Sequence, residues 1–377
     1  MAKQGRKYWF VGTLFLFVVY MFVAARPIPQ ETVMVPQWLS SLESGYSIPL
    51  AGAESAGAGG AYPDGGALSA APFQLGNRFG YVDDRGALLV NRIKDRKLFL
   101  SVPYWAEYDN VPEQIPILDN TGNPLFTIGE SGAAQGYPLY LDGRLFLIGR
   151  EMNTLIALDE GGEPLWSYDF AAPLTCSDGA AGFILTGSLD GTVEILNPEG
   201  KQFFYFSPGG SRIPVILGCA ISRDGSRLGI ISGIDDQRFM LLERYGDPGR
   251  GEFRVVYHEF LDDGFRRPVY ISFIDNDNRI VFERQGGIGI YDLRNRGTRT
   301  IPLEGTVLAL DTEGSGGIFF AIAAQPGRQK ELVGIKLPGT VILRAPFRSD
   351  HAFLRRAGQR LYLGGGNALA AFELGKQ

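Results

Sequence analysis

The sequence predicts an all-β chain of repeated four-stranded units closed into a ring, and three observations predict it. The first is a recurring hairpin at Pro116–Phe126 (PILDNTGNPLF), Leu155–Tyr168 (LIALDEGGEPLWSY) and Glu194–Phe204 (EILNPEGKQFF). Its turn residues Asp119, Asp159 and Asn197 stand about 40 residues apart, each with a Gly three residues on and an aromatic ring seven residues on. Asp or Asn hydrogen-bonds its own turn, Gly tolerates positive φ, and the ring packs between stacked sheets. The second is composition: 51 Gly and 22 Pro in 377 residues suit many short strands joined by turns. The third is length, which matches a single ring at ~40–45 residues per repeat. Units that cannot bury their faces alone and recur at this period make a β-propeller.

The N-terminus reads differently. Residues 1–7 form a basic tip with Lys3, Arg6 and Lys7, and Tyr8–Ala25 is an unbroken apolar run of 18 residues. Such a run can span a bilayer, with the basic flank kept in the cytoplasm and everything after it outside. The alternative is a cleaved signal peptide ending near Ala25, after Val23 and Ala24. No cysteine follows the run, so a lipidated anchor there is excluded. Residues 26–72 are expected to be a Pro/Gly/Ala-rich spacer, whose Ala51–Pro72 stretch would reach ~25 Å as a flexible chain.

The propeller is expected over residues 73–377. Ala87–Ile93, Lys97–Pro103, Gln114–Leu118 and Pro124–Ile128 read as its first complete blade, and Gly136–Phe170, Ala171–Ser207, a unit from Pro214 to His258, Val269–Leu303 and Val307–Arg344 as the next five. The last unit offers three strands, His351–Arg355, Gln359–Gly364 and Ala368–Leu374. The strand Phe73–Val82 is left to complete it, which makes seven blades. YVDDRG at Tyr81–Gly86 pulls toward eight, because it resembles the third-to-fourth-strand turns at Asp119, Asp159 and Asn197.

LIALDEGGEPLW resembles the repeat of quinoprotein-type (PQQ-repeat) propellers, while SRDGSRLGIISG and GIGIYDL resemble WD-repeat and TolB-like units. The resemblance covers roughly residues 73–374 as a repeat class and implies how blades stack. The outer-membrane barrel-assembly lipoproteins share exported PQQ-type repeats, anchored through a lipidated cysteine that this chain lacks. No local pattern maps the cofactor and calcium ligands of quinone-dependent dehydrogenases, so no cofactor is expected.

Catalytic and metal sites are not expected either. His258 and His351 stand in different blades without acidic or cysteine partners, and no nucleophile elbow, phosphate loop, HExxH or Cys-x-x-Cys motif occurs. The acidic pairs Asp83–Asp84, Asp235–Asp236 and Asp262–Asp263 read as solvated turn carboxylates. Cys176 and Cys219 fall on inner strands of neighbouring blades, where a bridge is the alternative, but read as buried free thiols, because Cys176 precedes an apparent Asp178–Gly179 turn by two residues and Cys219 precedes Asp224–Gly225 by five. A net charge of −5 without a long basic run argues against nucleic acid.

The remaining candidate is a surface. Loops joining second to third strands, and fourth strands to the next first, share one face of a propeller. The segment Tyr104–Glu113 is expected to be the widest such loop, carrying Tyr104, Trp105 and Tyr108 beside Asp109. Arg212, Asp235, Asp236, Asp262, Asp263, Arg266, Arg267 and Arg328 are expected on the same face. These residues predict a membrane-tethered, extracytoplasmic, non-catalytic scaffold that binds another envelope or membrane protein. The alternatives are a small-ligand or glycan-binding propeller, or an enzyme using the central channel.

Overall fold

The computed structural model describes residues 32–50, 70–110, 112–129, 135–246, 249–262, 264–311 and 317–376. Among these the strands form eight sheets, each built from strands paired antiparallel in chain order except where the ring closes. Blade 1 holds three described strands within 71–93, and blades 2 to 7 hold four each within 97–128, 136–169, 174–206, 216–260, 271–302 and 306–348. Blade 8 takes Ala352–Ala357, Arg360–Gly365 and Ala368–Lys376 from the C-terminus, then Thr32–Ser41 and Ser47–Pro49 from the N-terminal side.

The apolar periodicity explains why blades form and stack. Successive side chains on a strand point to opposite faces. In the third strand of blade 5, Met240 and Leu242 join the cluster shared with blade 4, while Phe239 and Leu241 join the cluster shared with blade 6. A buried cluster fills each of the eight blade–blade junctions, including that of blades 7 and 8 (Phe320, Leu361, Leu374) and that of blades 8 and 1 (Trp38, Phe73, Tyr362). The central strands are therefore apolar on both faces, and outer strands alternate with solvent, as in Thr340–Arg348.

The ring has eight blades rather than seven, and the reason lies in one turn. Asp83 Oδ1 accepts from Arg85 N and Ala87 N at 2.9 and 2.8 Å. Asp159 Oδ1 accepts from Gly161 N and Glu163 N in the same way, at 2.9 and 2.8 Å. YVDDRG is thus a third-to-fourth-strand turn, and Leu88–Ile93 is the outer strand of blade 1 instead of the first strand of a later unit.

The closing strand is likewise not Phe73–Val82. Thr32–Ser41 pairs along Ala368–Lys376, from Thr32 opposite Lys376 to Ser41 opposite Ala368. Trp38 in this strand repeats the role of Trp166. Trp166 Nε1 donates to Pro198 O in the Asn197 turn of the next blade at 3.1 Å, and Trp38 Nε1 donates to Asp84 O in the Asp83 turn at 3.0 Å. Residues 32–50 thus belong to the ring instead of the spacer. The expected membrane segment 8–25 lies outside the described residues, as do 51–69; among the described residues no helix is long and apolar enough to cross a membrane.

The cysteine register also differs from expectation. The strand Leu174–Ala180 runs through Asp178 and Gly179 and turns at Ala181–Gly182, with φ of +54° and +80°. Cys176 therefore stands four residues before the last paired residue of its strand, Ala180, and Cys219 two before Ile221, so the two share one parity. Both are free thiols, Cys219 buried and Cys176 partly exposed.

Candidate functional site

Second-to-third-strand loops and blade-to-blade connections share one face, and eight of the expected residues stand in them. Asp109 follows the second strand of blade 2, Arg212 lies between blades 4 and 5, and Asp235 and Asp236 lie in the second loop of blade 5. Asp262, Arg266 and Arg267 connect blades 5 and 6, and Arg328 lies in the second loop of blade 7. Asp263 lies outside the described residues.

The aromatic trio does not stand there. Tyr104–Tyr108 is the second strand of blade 2, entered by a tight turn in which Ser101 Oγ accepts from Tyr104 N at 3.1 Å. Its alternation splits the rings: Trp105 packs toward blade 1 with Phe79 and Tyr81, while Tyr104 and Tyr108 pack toward blade 3. Trp105 is 2% exposed and its Nε1 donates to Asp119 O at 2.8 Å. Tyr108 is buried as well, and that burial pushes its hydroxyl above the ordinary range. YWAEY was misread because Glu107 interrupts, and Asp109 directly follows, a strand that packs on both sides.

What the face does present is a platform across blades 4 to 6. Gln237, 2% exposed, is its clip: Nε2 donates to Gly233 O at 3.0 Å and Phe265 O at 3.1 Å, and Oε1 accepts from Phe265 N at 3.2 Å. Gly264 permits this approach, since a Cβ there would sit 2.9 Å from Gln237 Cβ. Arg238 reaches back to Pro208 O at 2.8 Å and ties in the connection from blade 4. Asp235 accepts from Ser211 and, at 3.0 Å, from Arg212 Nε, and these bonds hold its carboxyl well below the usual range.

Arg267 braces the platform from its edge. Its guanidinium makes two bonds to the buried carboxylate of Glu283, at 2.6 and 3.0 Å, and stacks over Phe265. The Glu283 carboxylate pushes the Arg267 guanidinium up. Two-point pairing of this kind fixes the loop. Solvent then meets Arg212, Asp236, Asp262 and Arg266, with Ile213 and Phe260 also exposed, Phe260 by 60%. Sequence reasoning missed Ile213 and Phe260; the trace was an apolar residue at the loop edge of a strand, as in HEFLDDG.

Two recesses lie elsewhere. On the loop face, a polar one of about 580 Å³ is walled by Arg328, Arg348, Ser349 and Asp350, with Arg328 bridged to Asp350 at 2.7 Å. Between blades 7 and 8 an apolar one of about 410 Å³ is walled by Met34 and Leu39 of the closing strand with Leu343, Phe347 and Phe372. Among the described residues no group of three or more His, Cys, Asp or Glu is placed to hold a metal ion. Asp178, which burial pushes up, has both oxygens engaged, by Gly179 N and Ile221 N at 2.9 Å each.

Comparison with known proteins agrees with this architecture. The chain is 28% identical over 314 residues to a Treponema pallidum (strain Nichols) protein described as uncharacterized, spanning 83% of this chain and 80% of that one. It resembles the crystal structure of BamB from Moraxella catarrhalis with a TM-score of 0.54 at 12% identity, over 81% of this chain and 98% of that one. It also resembles the computationally designed Ika8 protein, with a TM-score of 0.56 at 15% identity, over 81% of this chain and 96% of that one. At these identities the structural likenesses speak for the fold. With a family model described as "beta-propeller protein" matching residues 1–376, the chain belongs to that β-propeller family.

Proposed function

We propose that this propeller is a non-catalytic protein-interaction scaffold, tethered to the cytoplasmic membrane by residues 8–25 and standing on the extracytoplasmic side as part of an envelope assembly. The observation that carries the reading is the platform of blades 4 to 6. Its loops are fixed in advance by Gln237 and the Arg267–Glu283 pair, so a partner meets an ordered surface. Preordered loops spare the entropy of immobilising them on binding. Arg212, Asp236, Asp262 and Arg266 supply mixed charge to this face, and Ile213 and Phe260 supply exposed apolar side chains. Protein interfaces combine both kinds of surface.

The tether acts at short range. Because Thr32 already pairs with Lys376, only residues 26–31 separate the apolar run from blade 8. Six residues reach ~20 Å at full extension. Residues 51–69 connect Ser47–Pro49 of blade 8 to Ala71–Leu75 of blade 1 and add nothing to that reach. The propeller is thus held with blade 8 nearest the bilayer. The rival glycan reading needed Tyr104, Trp105 and Tyr108 stacked on sugar rings, and two of these are buried in a strand.

Photo-crosslinking in native membranes tests the proposal, with the probe at Arg212 and a control at Glu199 in a turn of the opposite face. One dominant protein adduct from Arg212, absent from Glu199, is expected. Equal adducts from both positions, or none from either, would overturn the platform as a docking surface.

A further inference from the structure

The inner strands of blades 4 and 5, Leu174–Ala180 and Ile216–Ile221, lie side by side in a fixed register. Thr175 Oγ1 donates to Ile216 O at 2.5 Å, and Asp178 Oδ2 accepts from Ile221 N at 2.9 Å across a separation of 43 residues. Cys176 and Cys219 are separated by the same 43 residues, midway along this seam. Cys219 lies in the buried cluster that fills this junction, and the Cys176 side chain packs against the same cluster. Gly187 clears the space: a Cβ there would come within 2.7 Å of Cys176 Sγ and 2.4 Å of Ile216 Cγ2.

We propose that Cys176 and Cys219 are a reversible dithiol–disulfide pair, whose oxidised form staples blade 4 to blade 5 at their inner strands. The two thiols are not equivalent. Cys176 is partly exposed and Cys219 is buried. The neighbouring Cys176 thiol and burial push the Cys219 thiol up, which leaves the more exposed Cys176 as the attacking group. The oxidant is a small disulfide of the glutathione class. Cys176 gives its proton to solvent and its sulfur attacks the small disulfide, forming a mixed disulfide and expelling one thiolate, which takes a proton back from solvent. The Cys219 sulfur then attacks Cys176 Sγ, expels the second thiolate, and gives up its proton to it. Two cysteine thiols are oxidised and one small disulfide is reduced to two thiols, so atoms and electrons balance.

The bridge encloses the connection that carries Arg212, and so stiffens one flank of the platform. The chemistry itself does not depend on where the protein resides. Neither does its test, so its failure would leave the docking proposal untouched.

The full chain, purified under reducing conditions, is incubated with oxidised glutathione, digested without reduction and mapped by mass spectrometry, with free thiols titrated in parallel. The expected result is loss of both thiols, a peptide pair linked through Cys176 and Cys219, and a Tm raised by roughly 5 °C. In Cys219→Ala the expected product is a stable glutathione adduct on Cys176. A wild-type protein that keeps both thiols free, or holds glutathione on Cys176 with no linked peptide, would overturn the proposal.

Discussion

Trp38 shows how much one side chain carries in a ring. It is 3% exposed, packs on Tyr362 at a centroid distance of 6.0 Å, and gives its indole hydrogen to Asp84 O. Trp38→Ala is expected to cost ~3–5 kcal/mol in urea unfolding, because it empties the junction of blades 8 and 1. Trp38→Phe keeps most of the packing and is expected to cost ~1 kcal/mol, the size of one hydrogen bond. Arg356 is the charged counterpart. Its side chain is 1% exposed, it donates to Ile318 O and Gly358 O at 2.8 Å each, and it faces Asp311 at 3.6 Å. Arg356→Ala is expected to destabilise by ~3–5 kcal/mol, since it breaks a buried ion pair and frees two backbone carbonyls; denaturant melts of the variant measure it.

At the scale of an element, the third-to-fourth-strand turn is the repeating joint. Gly200 has a φ of +76° and lies under Trp166, where a Cβ would meet Cδ2 at 2.3 Å. Gly200→Ala therefore combines an unfavourable backbone with a steric clash, and is expected to lower Tm more than an alanine at exposed Gly143, which has open space around it. Differential scanning fluorimetry of the pair separates strain from clash. This joint is also what the sequence made legible. Asp119, Asp159 and Asn197 betrayed it through spacing alone, and the blades from Gly136 onward follow the strands read from it. Asp83 carried the same chemistry, but Val90 stands where the other copies have an aromatic ring, so the first blade lost its mark. Trp38 was hidden for a different reason: its pairing partner lies at the far end of the chain, and no local pattern reports a contact of that separation. The charged loop residues were legible because strand order alone assigns a loop to a face. Tyr104–Tyr108 was not, because burial on two sides erases the alternation that marks a half-exposed strand.

For the whole molecule, the turns set an acid limit. Burial nudges Asp119 up, but bonds from Thr121 and Asn123 outweigh it and lower the carboxyl to about 2. Asp224 is likewise lowered to about 2, with burial outweighed by Ser222, Ser226 and Arg227. A carboxylate lowered by folding stabilises fully above its ordinary value of 3.8, and that contribution disappears as pH falls toward 2. Tm is expected to hold steady from neutral pH down to ~4.5 and to fall below it; Asp119→Ala combined with Asp224→Ala should flatten the acid limb while lowering the plateau. Closure sets a second limit. Deleting residues 1–50 removes Thr32–Ser41 and leaves Ala368–Lys376 as a bare edge, so the truncated protein is expected to self-associate on a sizing column. The same pairing also orders events in time. Thr32–Ser41 is synthesised ahead of every other blade, yet its partner Ala368–Lys376 is made only after blades 1 to 7. Blades 2 to 7 can assemble as they emerge, while Thr32–Ser41 must wait for Ala368–Lys376. A nascent chain stalled anywhere before Ala368 is an open arc, whatever its local folding.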